Sequence, residues 1–278
     1  MCDFCHQHGE GRKWYLQAKN YSEDLLSDLR RRSYIRHFFE YPQELPGGIA
    51  KLDYLDKLPA FVQAAVAPLI VNRQKKTHFG QVLPIEEIES IFGFVNSVVR
   101  VNCVCRHLAI GGEHRYCYGL SLAPWPESEL RKLLGSISAE YLNGPQSAGL
   151  EHMPKNEALE SLRSLEQHGL CHTVWTFITP YIGGICNCDR QDCLAMQATI
   201  GKSVPVMFKA EYIARVDPYT CNGCRACMRA CQFGAMGYSV ATGRVFIEPN
   251  SCFGCGICRS QCSRQAIELV DRTAAAST

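Results

Sequence analysis

Eight cysteines between residues 221 and 262 constrain this chain more than any other feature. Cys221, Cys224, Cys227 and Cys231 follow the spacing C-x2-C-x2-C-x3-C, and Cys252, Cys255, Cys258 and Cys262 repeat it 31 residues later. The repeat runs past the cysteines: Val216-Asp217-Pro218 matches Ile247-Glu248-Pro249, and Ala235-Met236 matches Ala266-Ile267. So extended a match marks a duplicated supersecondary unit. The spacing has a physical reason. Three thiolates in one tight loop grip three corners of an iron–sulfur cubane, while the fourth, a helical turn away, holds the cluster of the other copy. The expected sets are therefore Cys221, Cys224, Cys227 with Cys262, and Cys252, Cys255, Cys258 with Cys231. Gly223, Gly254 and Gly256 let the backbone wrap closely enough for N–H groups to reach the sulfurs. A pair of zinc knuckles is the competing reading, but structural zinc favours paired C-x2-4-C units.

On these residues the segment from about Ala210 to Asp271 resembles the bacterial two-cluster ferredoxins, with all eight ligands present. The resemblance implies two [4Fe-4S] clusters and the transfer of single electrons. One feature departs from the family: Gln232 and Ser263 stand where it usually has proline after the fourth cysteine. Each restores a backbone N–H near a sulfur and leaves ligation intact.

The chain holds 17 cysteines in 278 residues, and the remaining nine need a reading of their own. Met1-Cys-Asp-Phe-Cys-His6 lacks the basic start and apolar stretch of a secretory signal. The longest apolar candidate, Phe61 to Val71, is interrupted by Gln63 and Pro68, so no membrane span is expected. A cytoplasmic protein is the expectation, and there thiols stay reduced and grouped cysteines read as metal or cluster ligands. The formal charge of +2 offers no nucleic-acid surface.

Upstream stand Cys103-Val-Cys105-Arg106, then Cys117, then Ile185-Cys186-Asn187-Cys188, then Cys193. Two side chains two apart on a strand point the same way, so each C-x-C places two thiolates on one side. With Cys2 and Cys5 these make eight thiolates, enough for two further cubanes. The pattern is similar to a family of cytosolic iron–sulfur proteins that place C-x-C-R, a following cysteine and an I-C-N-C segment ahead of a dicluster ferredoxin domain. That resemblance implies cluster binding by Cys103, Cys105, Cys117, Cys186, Cys188 and Cys193 without dictating which share a cluster. The alternatives are one cluster with two spare thiols, one zinc, or functionless thiols in a frayed N-terminus. Cys2-Asp-Phe-Cys5-His6 also spells a c-type haem attachment pattern, which would need export. Cys171 reads as a buried core thiol. His107 and His172 lie near cysteines; ligation as in Rieske centres is one reading, and surface residues or neighbours of the ligands is the preferred one. Arg30-Arg31-Arg32 reads as a solvated helix face.

The expected fold class is α+β, with a mostly helical N-terminal cluster-binding domain over residues 1–203 and a ferredoxin-like domain with a short tail over 204–278. Helices are expected over Asn20 to Tyr41, capped by Asn20 and Glu23, and over Leu52 to Val71, split at Pro59 and Pro68. Further helices are expected over Ile85 to Phe94, Glu127 to Tyr141 and Asn156 to His168. Val98 to Val104 and Leu170 to Ile178 read as strands. Gly47-Gly48 and Gly183-Gly184 read as breaks.

No G-x-G-x-x-G follows a strand, and Met196 stands where a phosphate loop ending Gly201-Lys202-Ser203 would need its first glycine. The chain has means to hold electrons and no visible substrate motif. An electron-transfer subunit is therefore expected, within a hetero-oligomeric anaerobic oxidoreductase complex. It would relay electrons between a donor or other carrier and a larger catalytic subunit. The alternative is an enzyme whose N-terminal domain holds a site-differentiated cluster with an open iron.

Overall fold

The computed structural model describes residues 13–125, 127–142, 150–202 and 204–275. Cys2 and Cys5 lie outside the described residues. The chain is of mixed helix and strand, as the α+β class requires, but its N-terminal part is built on a large sheet. Seven strands lie between Gly80 and Phe208: β1 Gly80–Val82, β2 Ser97–Val101, β3 Cys117–Ser121, β4 Glu151–Met153, β5 Cys171–Thr176, β6 Ile182–Cys188 and β7 Met207–Phe208. Their order is β4-β2-β3-β6-β5-β1-β7. Every pairing is antiparallel except β1 with β7.

Alternation along β2 shows how the sheet is covered on both faces. Val98 joins a core built from the helices Ile85–Phe94 and Lys155–Gln167, through Ile88, Ile91, Ala158 and Leu162. Its neighbours Val99 and Val101 point the other way, into a second core with Ile35, Phe39, Leu130 and Leu134. β1, β3 and β6 carry Gly80, Gly119 and Gly183-Gly184 with polar residues among them, so neither alternation nor propensity marks them as strands, and Gly183-Gly184 sits inside β6 instead of breaking the chain. Gly184 is required there by close packing, since a Cβ would stand 2.8 Å from the Tyr118 carbonyl oxygen on β3.

Over the second face lie three helices, Leu29–Glu40, Glu44–Asp56 and Ala60–Thr77. The first is capped by Asp28, whose carboxylate accepts from the Arg30 and Arg31 amides, and the short helix before it, Glu23–Leu26, is capped by Ser22. Asn20 instead is buried and donates to the Trp14 carbonyl. Gly47-Gly48 lies within Glu44–Asp56, and Pro68 within Ala60–Thr77. Arg31 is no solvated residue: it is buried, with Nε donating to the Phe177 carbonyl at 3.0 Å.

Past β7 the chain enters the duplicated unit, with β8 Tyr212–Val216, β9 Met236–Ser239, β10 Arg244–Ile247 and β11 Ile267–Asp271. Each copy is a strand, a cysteine loop, a short helix and a strand. The copies exchange partners, β8 pairing with β11 and β9 with β10. Residues 204–208 thus serve the large sheet, and the chain passes to the smaller sheets between Phe208 and Tyr212.

Candidate iron–sulfur sites

Exchange of strands carries the helix of each copy toward the loop of the other. Cys221, Cys224, Cys227 and Cys262 line one small cavity, and Cys231, Cys252, Cys255 and Cys258 line a second. These are the two sets that the spacing predicts. The backbone is shaped for the purpose. Gly223 and Gly254 have φ of +71° and +73°, and a Cβ on either would stand 2.2 Å from a backbone oxygen, of Gly243 and Tyr212 respectively. Backbone amides aim at sulfur: Ala235 N lies 3.3 Å from Cys231 Sγ, and Ala266 N lies 3.4 Å from Cys262 Sγ, the same contact in each copy. Ala214 N adds a third at 3.5 Å from Cys252 Sγ. Such donors stabilise thiolate over thiol and tune a bound cluster. Converging thiols, glycine-permitted wrapping and amide donors together fit an iron–sulfur cubane. Burial pushes the Cys227 thiol up to about 11 and the Cys258 thiol higher still.

The donors in the two copies lie four residues beyond the fourth cysteine, so Gln232 has another use. Its side chain donates to the Gly169 carbonyl at 2.8 Å and accepts from the Arg190 amide at 3.0 Å, tying the duplicated unit to the large sheet's surroundings. Gln261 does the same to the Gln167 carbonyl at 2.7 Å, and Arg259 reaches Glu86 at 2.5 Å.

The upstream cysteines also come together. Cys117 on β3 is registered opposite Cys186 on β6, and Cys188, two residues on, opposite Cys171 on β5. Cys103 and Cys105 are not on a strand, since β2 ends at Val101; Cys103 precedes the helix Val104–Ile110, and Cys105 lies in it. Cys193 likewise precedes the short helix Leu194–Met196. Thiol contacts link Cys186 to Cys117, Cys117 to Cys103, Cys103 to Cys105, Cys105 to Cys193 and Cys193 to Cys188. All six line one cavity. Hydrogen bonds from Cys105 and Cys117, with Arg106 alongside, hold the Cys103 thiol well below its ordinary value; the same bonds push Cys105 and Cys117 up.

Among the described residues Arg106 is the one arginine or lysine lining the cavity at this ring. It is buried, with Nη1 3.9 Å from Cys103 Sγ and 3.0 Å from the Asn187 carbonyl, and it pairs with Asp189. Asn187, between Cys186 and Cys188, holds the buried His172 ring at 2.6 Å. His107 stacks on Tyr141. The spacing gave no sign of one relation. Buried Cys171 contacts the thiol of Cys255 and shares an apolar core with Cys188, Cys193, Phe233 and Ile257. Among the described residues no group of three or more His, Cys, Asp or Glu is placed to hold a single metal ion.

Residues 220–267 match a family model described as a 4Fe-4S dicluster domain. No curated protein matches the chain. The C-terminal part is therefore a ferredoxin-like iron–sulfur domain that binds 4Fe-4S, and iron–sulfur electron transfer is the general chemistry it serves. Among the described residues no helix is long and apolar enough to cross a membrane.

Proposed function

We propose that this chain is an electron-transfer subunit carrying [4Fe-4S] clusters in both parts: two on the eight C-terminal cysteines and two more on Cys103, Cys105, Cys117, Cys186, Cys188 and Cys193 together with Cys2 and Cys5. Such clusters supply reversible one-electron chemistry when bound. The supporting observation is the core that the two parts share. Cys188 and Cys193 of the upstream ring and Cys255 of the nearer ferredoxin set pack around Cys171 in one apolar cluster. Cys224 of the other set is exposed, which gives the arrangement an inner and an outer end. The partner at the outer end is another carrier, or the larger catalytic subunit of an anaerobic oxidoreductase complex in the cytoplasm.

A second reading, an enzyme with a site-differentiated cluster at the upstream ring, is favoured by the size of the cavity there. Steady-state assay of the isolated, fully loaded protein with single-electron dyes separates the two. The carrier reading predicts dye reduction and no turnover of small molecules. Sustained turnover without a second polypeptide, abolished by Cys103→Ser or Cys186→Ser but not by Cys221→Ser, contradicts it.

A further inference from the structure

The three cysteine-lined cavities can be compared within one molecule. The two ferredoxin sets, each shaped for one cubane, enclose about 10 and about 20 Å³. The cavity at the six-thiol ring measures about 470 Å³. Its volume falls in the range of sites that enclose small organic molecules.

The rest of the cavity lies between the sheet and the three helices over its second face. Its wall is aromatic and aliphatic, with Phe38, Leu52, Ile70, Trp175 and Phe177. Among the described residues two lining residues carry a formal charge, and both are engaged: Glu44 faces His37 at 3.0 Å, and Arg106 is held by Asp189 and the Asn187 carbonyl. Among the described residues an anionic ligand would meet no free cation there. His78 supplies the polar handle. Its Nδ1 lies 2.6 Å from the Thr176 carbonyl and must donate to it, leaving Nε2 an acceptor with no partner among the described residues. Rings of Phe38, Trp175 and Phe177 surround the imidazole at 4.8 to 4.9 Å and fix its plane. Burial lowers His78 to about 4, so the ring is neutral at physiological pH.

We infer that this cavity is a binding site for a neutral, largely apolar organic molecule bearing one hydroxyl or N–H donor, which it presents to His78 Nε2 while its body packs beside the six-thiol ring. The inference rests on the cavity and His78, and it holds whether or not the ring carries a cluster. Apolar burial supplies the affinity, and the single acceptor the orientation.

The test uses the full chain, loaded with iron under anaerobic conditions, and three probes followed by calorimetry and tryptophan fluorescence at neutral pH. 2-Naphthol is expected to bind saturably, one per chain. 2-Methoxynaphthalene, which has no donor, should bind at least tenfold more weakly, and naphthalene-2-sulfonate should not bind. His78→Phe keeps an aromatic ring and should erase the difference between the first two probes. Ile70→Trp fills the cavity from a largely exposed helix and should weaken 2-naphthol at least tenfold, with iron content and unfolding midpoint unchanged. Saturable binding by a protein holding only the ferredoxin irons would support the site while removing the upstream clusters from the functional proposal. Absence of saturable 2-naphthol binding overturns the inference, as does binding that neither variant alters.

Discussion

Cys171 illustrates how a side chain read correctly in isolation acquires a role from its neighbours. It is a core thiol, fully buried as expected, yet its sulfur touches that of Cys255. Cys171→Ala should keep full iron content and cost about 1–2 kcal/mol of stability, because only one sulfur is removed from a packed site. Iron analysis beside an unfolding curve checks this, and loss of four irons would make Cys171 a ligand. His172 carries a pH signature. Burial lowers it to about 4, whereas an unfolded histidine titrates near 6.5. Below 6.5 the unfolded chain binds the extra proton first, so the contribution of His172 is present above that pH and is lost as pH falls toward 4. Burial raises Glu166 to about 7, which gives the opposite sign: stability present below 4.5 and lost as pH rises through 7. His172→Gln should therefore flatten the acid-side loss of stability by on the order of 2 kcal/mol, and Glu166→Gln should steepen it. Unfolding midpoints between pH 7 and 5 read both.

Elements follow the same logic. Gly254 has left-handed backbone and a Cβ there would collide with the Tyr212 carbonyl oxygen at 2.2 Å, so neither the turn nor the strand beneath it tolerates alanine. Gly254→Ala should disturb the loop of Cys252, Cys255 and Cys258, cost at least about 2 kcal/mol and reduce the iron of that set first. Per-chain iron with Gly223→Ala as the symmetric control checks the assignment. The duplicated unit was legible because its two copies carry the same cysteines, the same glycines and the same flanking residues, and ligand spacing is a local property. Of the large sheet, β2 and β5 were legible and the rest was not. β1 and β7 are three and two residues long, and β6 carries Gly183-Gly184, so neither periodicity nor propensity marks them. Cys103 and Cys105 were read onto a strand because Val98 to Val101 is one; the chain turns into a helix just where the cysteines begin. The approach of Cys105 to Cys193 is set by the sheet's order, which no local pattern encodes.

At the scale of the molecule, two bodies of very different size share one core. Phe233 and Phe253, one from each ferredoxin copy, stack at 4.0 Å, and Phe233 continues into the cluster that holds Cys171, Cys188 and Cys193. Side chains of Gln232, Gln261 and Arg259 pin the same boundary. The account centres on cluster binding on both sides of that boundary. Its most direct test is iron and acid-labile sulfide per chain in anaerobically prepared protein, wild type beside Cys103→Ser and Cys221→Ser. Of the 17 cysteines, all but Cys171 are assigned as ligands, and at four per cluster they predict about sixteen iron and sixteen sulfide. Each variant should lose from its own side alone. About eight of each in the wild type, unchanged by Cys103→Ser and lowered by Cys221→Ser, would contradict the account and confine the iron to the C-terminal domain.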